Sequence, residues 1–525
     1  MDREYIVANV EDLNDGQMKQ VEVEGRKILL VRLDGQFHAY GSTCPHQGAP
    51  LAEGFLHEGH IRCPWHQSIF SALTGEMVAP PTLDSLPRFD VRVEGDKVLA
   101  TLPEKIPAAR TPMMAEPGDG ENRTFIILGA GAAGVVAAQT LRQVGFGGRV
   151  VMITREDTPT YDRTELSKGY LSRAEAAYPS LREDDFFEQH GIELLKGREV
   201  TEVDVRSRTV SCSDHTWMQY DKLLLASGSA PRRLDVAGDT LGNIFLLRSM
   251  PDGQAIRAAA SAGARRAVVV GGSFIAMEVG ASLASRGVAV TVVAPDSVPF
   301  KTALGERIGR MLQQLHEQKG TVFMLGARVD HFEGDGAVRE VTLVGGQRIT
   351  TDMVVAGVGV RPVTDYLRDL ETHTDGSVTV DEHLRAVGNV FAAGDIARFP
   401  DWRTGEPIRI EHWRLAEEHG RVAAMNMAGW DAPYRGVPFF WTSQLKLSLS
   451  YVGYARIWDE IVYDGDVEGR NFVAYYLSDG RVLAASGCEQ DARLCAIAEA
   501  LAARTPPMLT ELRRQVGRVE GGVKA

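Results

Sequence analysis

Two short segments of the chain carry residues able to hold iron. The sequence reads Cys44-Pro45-His46, then sixteen residues, then Cys63-Pro64-Trp65-His66. Each segment offers one thiol and one imidazole. Two thiolates on one iron and two neutral imidazoles on the other form the ligand set of a [2Fe–2S] cluster, with a potential above that of an all-cysteine cluster. A structural zinc site fits less well, because such sites usually pair cysteine with cysteine and histidine with histidine. Here the two types alternate. Cys44, His46, Cys63 and His66 are therefore the predicted metal ligands.

Further along, the sequence offers nucleotide-binding chemistry. Thr124-Phe125-Ile126-Ile127-Leu128 is a short apolar run that enters Gly129-Ala130-Gly131-Ala132-Ala133-Gly134 and then an Ala/Val-rich stretch. Strand, glycine turn and helix in that order form a dinucleotide fingerprint. Gly129 allows the tight turn, Gly131 the approach of backbone to pyrophosphate, and Gly134 close helix–sheet packing. A degenerate copy follows, with Ala267-Val268-Val269-Val270 running into Gly271-Gly272-Ser273-Phe274-Ile275-Ala276. Ser273 replaces the middle glycine and Ala276 the last. Two such units suggest one held and one exchanging nucleotide. The hydrophobic run Asn389-Val390-Phe391-Ala392-Ala393 ends in Gly394-Asp395, whose carboxylate could accept from a ribityl hydroxyl. A plain strand-to-helix turn is the other reading of that pair.

Bulk properties bound what surrounds these motifs. At 525 residues the chain exceeds the roughly 250–300 at which single cores stop growing, so several domains are expected. A net charge of −13 argues against a nucleic-acid binder. No apolar run approaches the ~18 residues of a membrane span, and Met1-Asp2-Arg3-Glu4 opens no signal sequence, so a soluble, cytoplasmic protein without a membrane partner is expected. Of five cysteines, Cys212, Cys488 and Cys495 lie outside the quartet. Their scatter suits a reducing compartment, with Cys488 and Cys495 as small buried hydrophobes.

The elements follow from patterning. Residues 1–102 alternate as short strands, with Asp34-Gly35 as a hairpin signal. Pro103, Pro107, Pro112 and Pro117, with Gly118 and Gly120, predict a flexible connector over 103–122. Strand–helix alternation begins at Thr124. After about residue 431 strands return, and a last amphipathic helix is predicted over 491–503.

With these residues in view, the chain resembles a known arrangement. Residues 121–525 are similar to the flavin-dependent NAD(P)H reductases that include the ferredoxin reductases of aromatic-ring dioxygenase systems and apoptosis-inducing factor. With residues 1–102 added, the whole resembles the Rieske-bearing, apoptosis-inducing-factor-like branch. The resemblance rests on the metal quartet, residues 129–134, Tyr161-Asp162-Arg163 with Leu166-Ser167-Lys168, and Leu225-Ala226-Ser227-Gly228. The second fingerprint, Gly357-Val358-Gly359-Val360-Arg361-Pro362 and Gly394-Asp395 complete it. The expected fold class is α/β with an all-β N-terminal domain. A Rieske β-sandwich (1–102) and linker (103–122) precede an FAD-binding domain (123–245 and 363–430), an NAD(P)H-binding domain (246–362) and an α+β C-terminal domain (431–525).

The resemblance also implies roles. Arg163 would lie along FAD and Lys168 beside the flavin ring. Glu278 would pair with Lys168 and help position the nicotinamide, the two forming the catalytic pair. Such a buried pair is plausible because each charge neutralises the other. Val200, Ala226, Ser273, Ile275 and Gly359 join the fingerprint glycines, including Gly271, as cofactor-binding positions. His412-Trp413 match the segment that closes over the flavin, and Phe439-Phe440-Trp441 an aromatic wall, with core packing as the other reading of these rings.

Departures from the pattern carry expectations too. Arg155 stands where the ribose-binding acid of the FAD unit belongs, which makes Glu156 the candidate. Ala294 stands where NAD-preferring relatives carry an acid, so NADPH is not barred; with no arginine cluster and only Asp296 and Lys301 nearby, the lean is toward NADH. Ala49 and Trp65 occupy the places of the disulfide cysteines of high-potential respiratory Rieske centres. Phe70 occupies that of a tyrosine donor, while Ser68 is retained. Fewer donors to the cluster imply a potential low in the Rieske range.

The implied enzyme is an FAD-dependent NAD(P)H oxidoreductase of ferredoxin-reductase type. Hydride passes to FAD, then single electrons pass to the [2Fe–2S] cluster and on to an acceptor protein, because a flavin converts a two-electron donor into one-electron steps. The His46/His66 side is the expected exit, and the chain a monomer or homodimer. Three alternatives stand beside this reading. A thiol or peroxide reductase lacks a cysteine between Cys63 and Cys212. A Rieske oxygenase needs a mononuclear iron, for which Glu411, His412, Glu417 and His419 are the local candidates. An NAD(P)H-responsive signalling protein of apoptosis-inducing-factor type is the third.

Overall fold

The computed structural model describes residues 2–118 and 120–523, with side chains as far as Gly517. Alternation along strand Arg26–Leu33 builds the N-terminal domain. Ile28 and Leu30 face one core with Ala39, Val98 and Ala100, while Leu29 and Val31 face another with Tyr40, Ile61 and Phe70. The strand is buried on both faces and so lies between layers. Its hairpin with Gln36–Gly41 turns at Asp34 and Gly35, both at positive φ (52° and 74°), the geometry that two-residue hairpins favour. A separate four-stranded antiparallel sheet (Phe55–His57, His60–Arg62, Ile69–Ser71, Met77–Ala79) carries Cys63 and His66 between its second and third strands. The loop with Cys44 and His46 leaves the end of Gln36–Gly41.

The first nucleotide unit is a six-stranded sheet in the order Ile192–Leu195, Arg149–Ile153, Thr124–Leu128, Lys222–Leu225, Val390–Ala392, Arg385–Val387. All but the last pairing are parallel. Helices cover such a sheet on both faces, which is why its central strand reads as an unbroken apolar run. The second unit is a five-stranded parallel sheet, Ile244–Leu246, Met353–Ala356, Arg266–Val270, Ala289–Ala294, Val322–Leu325. Strand Ile244–Leu246 straddles the boundary drawn at 245/246, so the chain enters this unit slightly earlier than expected. Three residues are too few to show a period, and only the pairing with Met353–Ala356 assigns them.

The C-terminal domain is a five-stranded antiparallel sheet running from Phe439–Gln444 to Arg481–Cys488, backed by helices Asp491–Leu501 and Leu509–Val523. The segment after Leu102 is not the free connector that its prolines predict. Arg110 exchanges backbone hydrogen bonds with Ser85 (2.9 and 3.0 Å), and its guanidinium reaches Leu86 O and Glu76. Further on, Ala115 N–H donates to Arg142 O and Gly118 N–H to Gly147 O. The prolines remove donors, but the residues between them stitch the chain to both flanking domains. No described helix is long and apolar enough to cross a membrane.

Candidate redox site

The two metal-ligand loops are variants of one turn. Cys44 N–H donates to Ala49 O and Cys63 N–H to Ser68 O, each at 2.8 Å. Both thiols are buried and lie against one another. Hydrogen bonding between them pushes the Cys44 thiol down and the Cys63 thiol well up from the ordinary value, and the Ser68 side chain and backbone N–H groups also bond to the Cys44 sulfur. His46 Nδ1 and His66 Nδ1 are 3.1 Å apart. Burial pushes both imidazoles down and so keeps them neutral, the form that binds metal. Among the described residues no three such groups converge on a single ion. Instead the same two loops hold two thiols in contact with each other and two imidazole nitrogens 3.1 Å apart, a donor set that fits a two-iron cluster.

The imidazole edge of this pocket faces inward, which corrects the expectation that it is the exit. The His66 ring centroid lies 4.3 Å from that of Trp441, and that of His46 6.2 Å away. Trp441 belongs to strand Phe439–Gln444 and lines the central cavity. An edge that would be exposed on an isolated ferredoxin domain is here covered by the rest of the chain. Arg414, 3% exposed, clamps the domain: Nε donates to Pro80 O (3.1 Å) and Nη2 to Gln67 O (3.0 Å), while Nη1 pairs with Glu418 (2.8 Å). Arg62 pairs with Glu499 (2.5 Å) and Arg182 with Asp84 (2.6 Å). Gln67 Nε2 donates to Cys495 Sγ at 3.0 Å, and that thiol lies 3.6 Å from Cys63 O. Cys495 is buried, as expected, but at the interface with the cluster loop. Sequence reasoning found none of these docking partners.

Behind Trp441 lies a cavity of about 900 Å³ walled by both nucleotide units and the C-terminal sheet. Gly129 (φ 111°) forms part of its floor, where an added Cβ would sit 2.2 Å from Ala226 O. Gly131 caps helix Ala132–Gln143, whose first turn opens onto the cavity with unpaired N–H groups that favour a phosphate. Gly134 lies behind the wall. Glu156 lines the cavity and accepts from Tyr161 Oη (2.5 Å) and Arg163 Nη2 (2.9 Å). Asp395, beside Gly394, accepts from Arg248 at 2.9 Å. Val200 and Ala226 complete that side. His412 faces the cavity with a buried Nδ1 that has no partner, and burial pushes its pKa down to about 4. Trp413 follows it at the start of helix Trp413–Ala428. An N–H-lined cradle, a riboside-scale polar rim and an orphaned ring nitrogen suit FAD.

The second fingerprint approaches from the other side. Gly271 (φ 125°) sits behind the wall, where a Cβ would meet Gly357 O at 2.4 Å. Ser273 caps helix Phe274–Ser285, and Ile275 and Gly359 face the cavity. Glu278, from the same helix, and Lys168 meet at 3.1 Å, with side chains 4% and 14% exposed. Ser167 Oγ also donates to Glu278 Oε2, and Thr442 Oγ1 donates to Oε1 at 2.7 Å. Lys301 pairs with Glu306. The candidates for a mononuclear iron serve different partners: Glu411 pairs with Arg409, and His419 Nδ1 accepts from Gly394 N–H.

A two-thiol, two-imidazole pocket docked against a two-nucleotide cavity defines a Rieske domain fused to a flavin- and pyridine-nucleotide-dependent reductase. The chain belongs to the pyridine nucleotide-disulphide oxidoreductase family, whose model matches residues 123–420. A Rieske [2Fe-2S] domain matches residues 3–90 and a reductase C-terminal domain 439–515. The chain is 39% identical over 511 residues to apoptosis-inducing factor 3 of Homo sapiens, covering 95% of this chain and 84% of that protein. It is 32% identical over 365 residues to the biphenyl dioxygenase system ferredoxin–NAD(+) reductase component of Paraburkholderia xenovorans, covering 69% and 89% respectively. The covalent putidaredoxin reductase–putidaredoxin complex is a structural neighbour, with TM-score 0.72 and 27% identity over 77% of this chain and 100% of that one. The chain is thus an FAD-dependent NAD(P)H oxidoreductase with its own Rieske cluster.

Proposed function

We propose that this protein loads its Rieske cluster from its own flavin and delivers the electrons to a separate redox protein, with Lys168 and Glu278 as the catalytic pair. The observation that carries this reading is the packing of His66 on Trp441, a ring shared between the cluster pocket and the cavity. When bound, FAD accepts electrons in pairs and releases them singly, the conversion that a one-electron cluster needs.

The chain's residues bind and orient. The first turn of helix Ala132–Gln143, with Gly129 and Gly131, holds the pyrophosphate, and Gly134 lets that helix pack closely. Glu156 binds the ribose, Asp395 the ribityl chain, and Arg163 lies alongside. Val200, Ala226, Gly394, His412 and Trp413 enclose the flavin. Gly271, Ser273, Ile275 and Gly359 receive the exchanging coenzyme, where the absence of an acid at Ala294 admits either form and the lean is to NADH. Lys168 and Glu278 hold each other at the meeting point of the two nucleotides, and Phe439, Phe440 and Trp441 exclude water there. The acceptor is a ferredoxin-type carrier, an oxygenase or a cytochrome, and the protein works in the cytoplasm as a monomer or homodimer.

Anaerobic titration with NADH and then NADPH, followed by visible and EPR spectra, tests the reading. Flavin bleaching followed by a reduced-cluster signal is expected; bleaching with a silent cluster refutes it. The 39% identity to apoptosis-inducing factor 3 favours a second reading, an NAD(P)H-responsive signalling protein. Sustained turnover with ferricyanide distinguishes the two.

A further inference from the structure

Strand Phe439–Gln444 has two faces with different duties. Trp441 points to the cluster histidines, while Thr442 and Gln444, two residues apart and both buried, share the opposite face. From that face a continuous hydrogen-bonded chain leads away from Glu278. Thr442 Oγ1 lies 2.7 Å from Glu278 Oε1, Gln444 Nε2 lies 2.9 Å from Thr442 Oγ1, and His316 Nε2 lies 2.8 Å from Gln444 Oε1. His316 sits on helix Glu306–Glu317, fully buried, and its Nδ1 has no partner.

The direction of every link is fixed by chemistry. A carboxylate only accepts, so the Thr442 hydroxyl donates to Glu278 and must accept from the Gln444 amide N–H. The amide oxygen only accepts, so His316 carries its proton on Nε2. Burial pushes the His316 imidazole down and keeps it neutral. With Ser167 and Lys168 donating to Oε2 and Thr442 to Oε1, both oxygens of Glu278 are pinned, by donors from two separate parts of the fold.

We propose that His316, Gln444 and Thr442 are positioning residues that aim the Glu278 carboxylate at the nicotinamide of the bound coenzyme. This inference rests on the role given above to Glu278. A chain that merely satisfied buried polar atoms would matter for stability alone; this one sets coenzyme affinity through the orientation of a single carboxylate.

The test is calorimetric titration of NAD+ into oxidised holoprotein, where no turnover occurs, with the apparent Kd and limiting rate of flavin reduction by NADH as a second readout. Thr442→Val keeps the shape and removes the donor. It is expected to weaken NAD+ binding about tenfold, the loss of one hydrogen bond to a charged group, with full flavin content retained. Thr442→Ser restores the affinity. Gln444→Glu offers a competing acceptor to the Thr442 hydroxyl, pulls it off Glu278, and should reproduce the Thr442→Val defect. If Thr442→Val and Gln444→Glu both bind NAD+ like the parent while Glu278→Gln binds weakly, the positioning chain is refuted and the role of Glu278 stands. If Glu278→Gln also binds like the parent, both fall.

Discussion

Replacing Arg414 by Met together with Glu418 by Gln asks what the docked Rieske domain contributes. Arg414 alone would leave the buried Glu418 carboxylate without its cation, a fault in folding rather than docking, and the second change removes that charge. What remains lost are the two donations from Arg414 to Pro80 O and Gln67 O across the domain boundary. Hydrogen bonds from a charged donor contribute about 1.5–3 kcal/mol each, so docking weakens by about 3–6 kcal/mol. At about 1.4 kcal/mol per factor of ten, the ratio of docked to released domain falls by about 10²–10⁴. The assay is anaerobic stopped-flow mixing with NADH, monitoring flavin absorbance and, by rapid freezing, the reduced-cluster EPR signal. Flavin reduction should keep the parental rate, while cluster reduction slows and the radius of gyration grows. A double variant with full flavin content that reduces its cluster as fast as the parent would refute the claim that the His66–Trp441 contact is the working geometry.

Other outcomes follow from the same contacts. Cys495 is fully buried, and burial pushes its thiol up to about 12, so it should resist alkylation in the parent and react once Arg414 and Glu418 are replaced; mass spectrometry reads the adduct. Asp491 opens the helix that carries Cys495 and Glu499, and its carboxyl is pushed up to about 6 by burial first and then by Glu489 and Glu53. A raised carboxyl favours the folded state only while protonated, so its contribution is lost as pH rises through about 6. Asp491→Asn should therefore gain on the parent in melting temperature as pH rises from 3.8 to about 6 and keep a constant margin above that, and parallel melting curves across that range would contradict this. Phe70→Tyr supplies a hydroxyl next to the cluster loops and should raise the midpoint potential, read by redox titration with EPR.

The parts of this molecule with a local signature were legible in its sequence. Cys44, His46, Cys63 and His66 are close in the chain and chemically unusual, and Gly129, Gly134 and Gly271 of the fingerprints stand where an added Cβ would strike a backbone carbonyl oxygen. The Lys168–Glu278 pair came from resemblance, since residues on separate nucleotide units share no period. Arg62 with Glu499, Gln67 with Cys495 and Arg414 with Pro80 join segments hundreds of positions apart, and each residue alone reads as an ordinary surface charge or core filler. For the same reason the direction of the histidine edge is hidden in the sequence: it depends on where one domain lands on another. The Thr442–Gln444 face left no sign in the sequence, because Phe-Phe-Trp-Thr-Ser-Gln does not alternate and nothing in it points to the carboxylate it meets.

The stitched segment after Leu102 has a kinetic consequence. A carrier that diffuses to its reductase is filled at a rate set by both protein concentrations. Here the backbone pairing at Ser85–Arg110 and the N–H donations to Arg142 and Gly147 keep carrier and reductase together, and a short tether alone sustains local concentrations of order mM. Filling the cluster thus becomes a first-order event, indifferent to dilution and to competing carriers. Only discharge depends on a collision, so the turnover of each molecule is set by the supply of acceptor and not by how dilute the protein itself is.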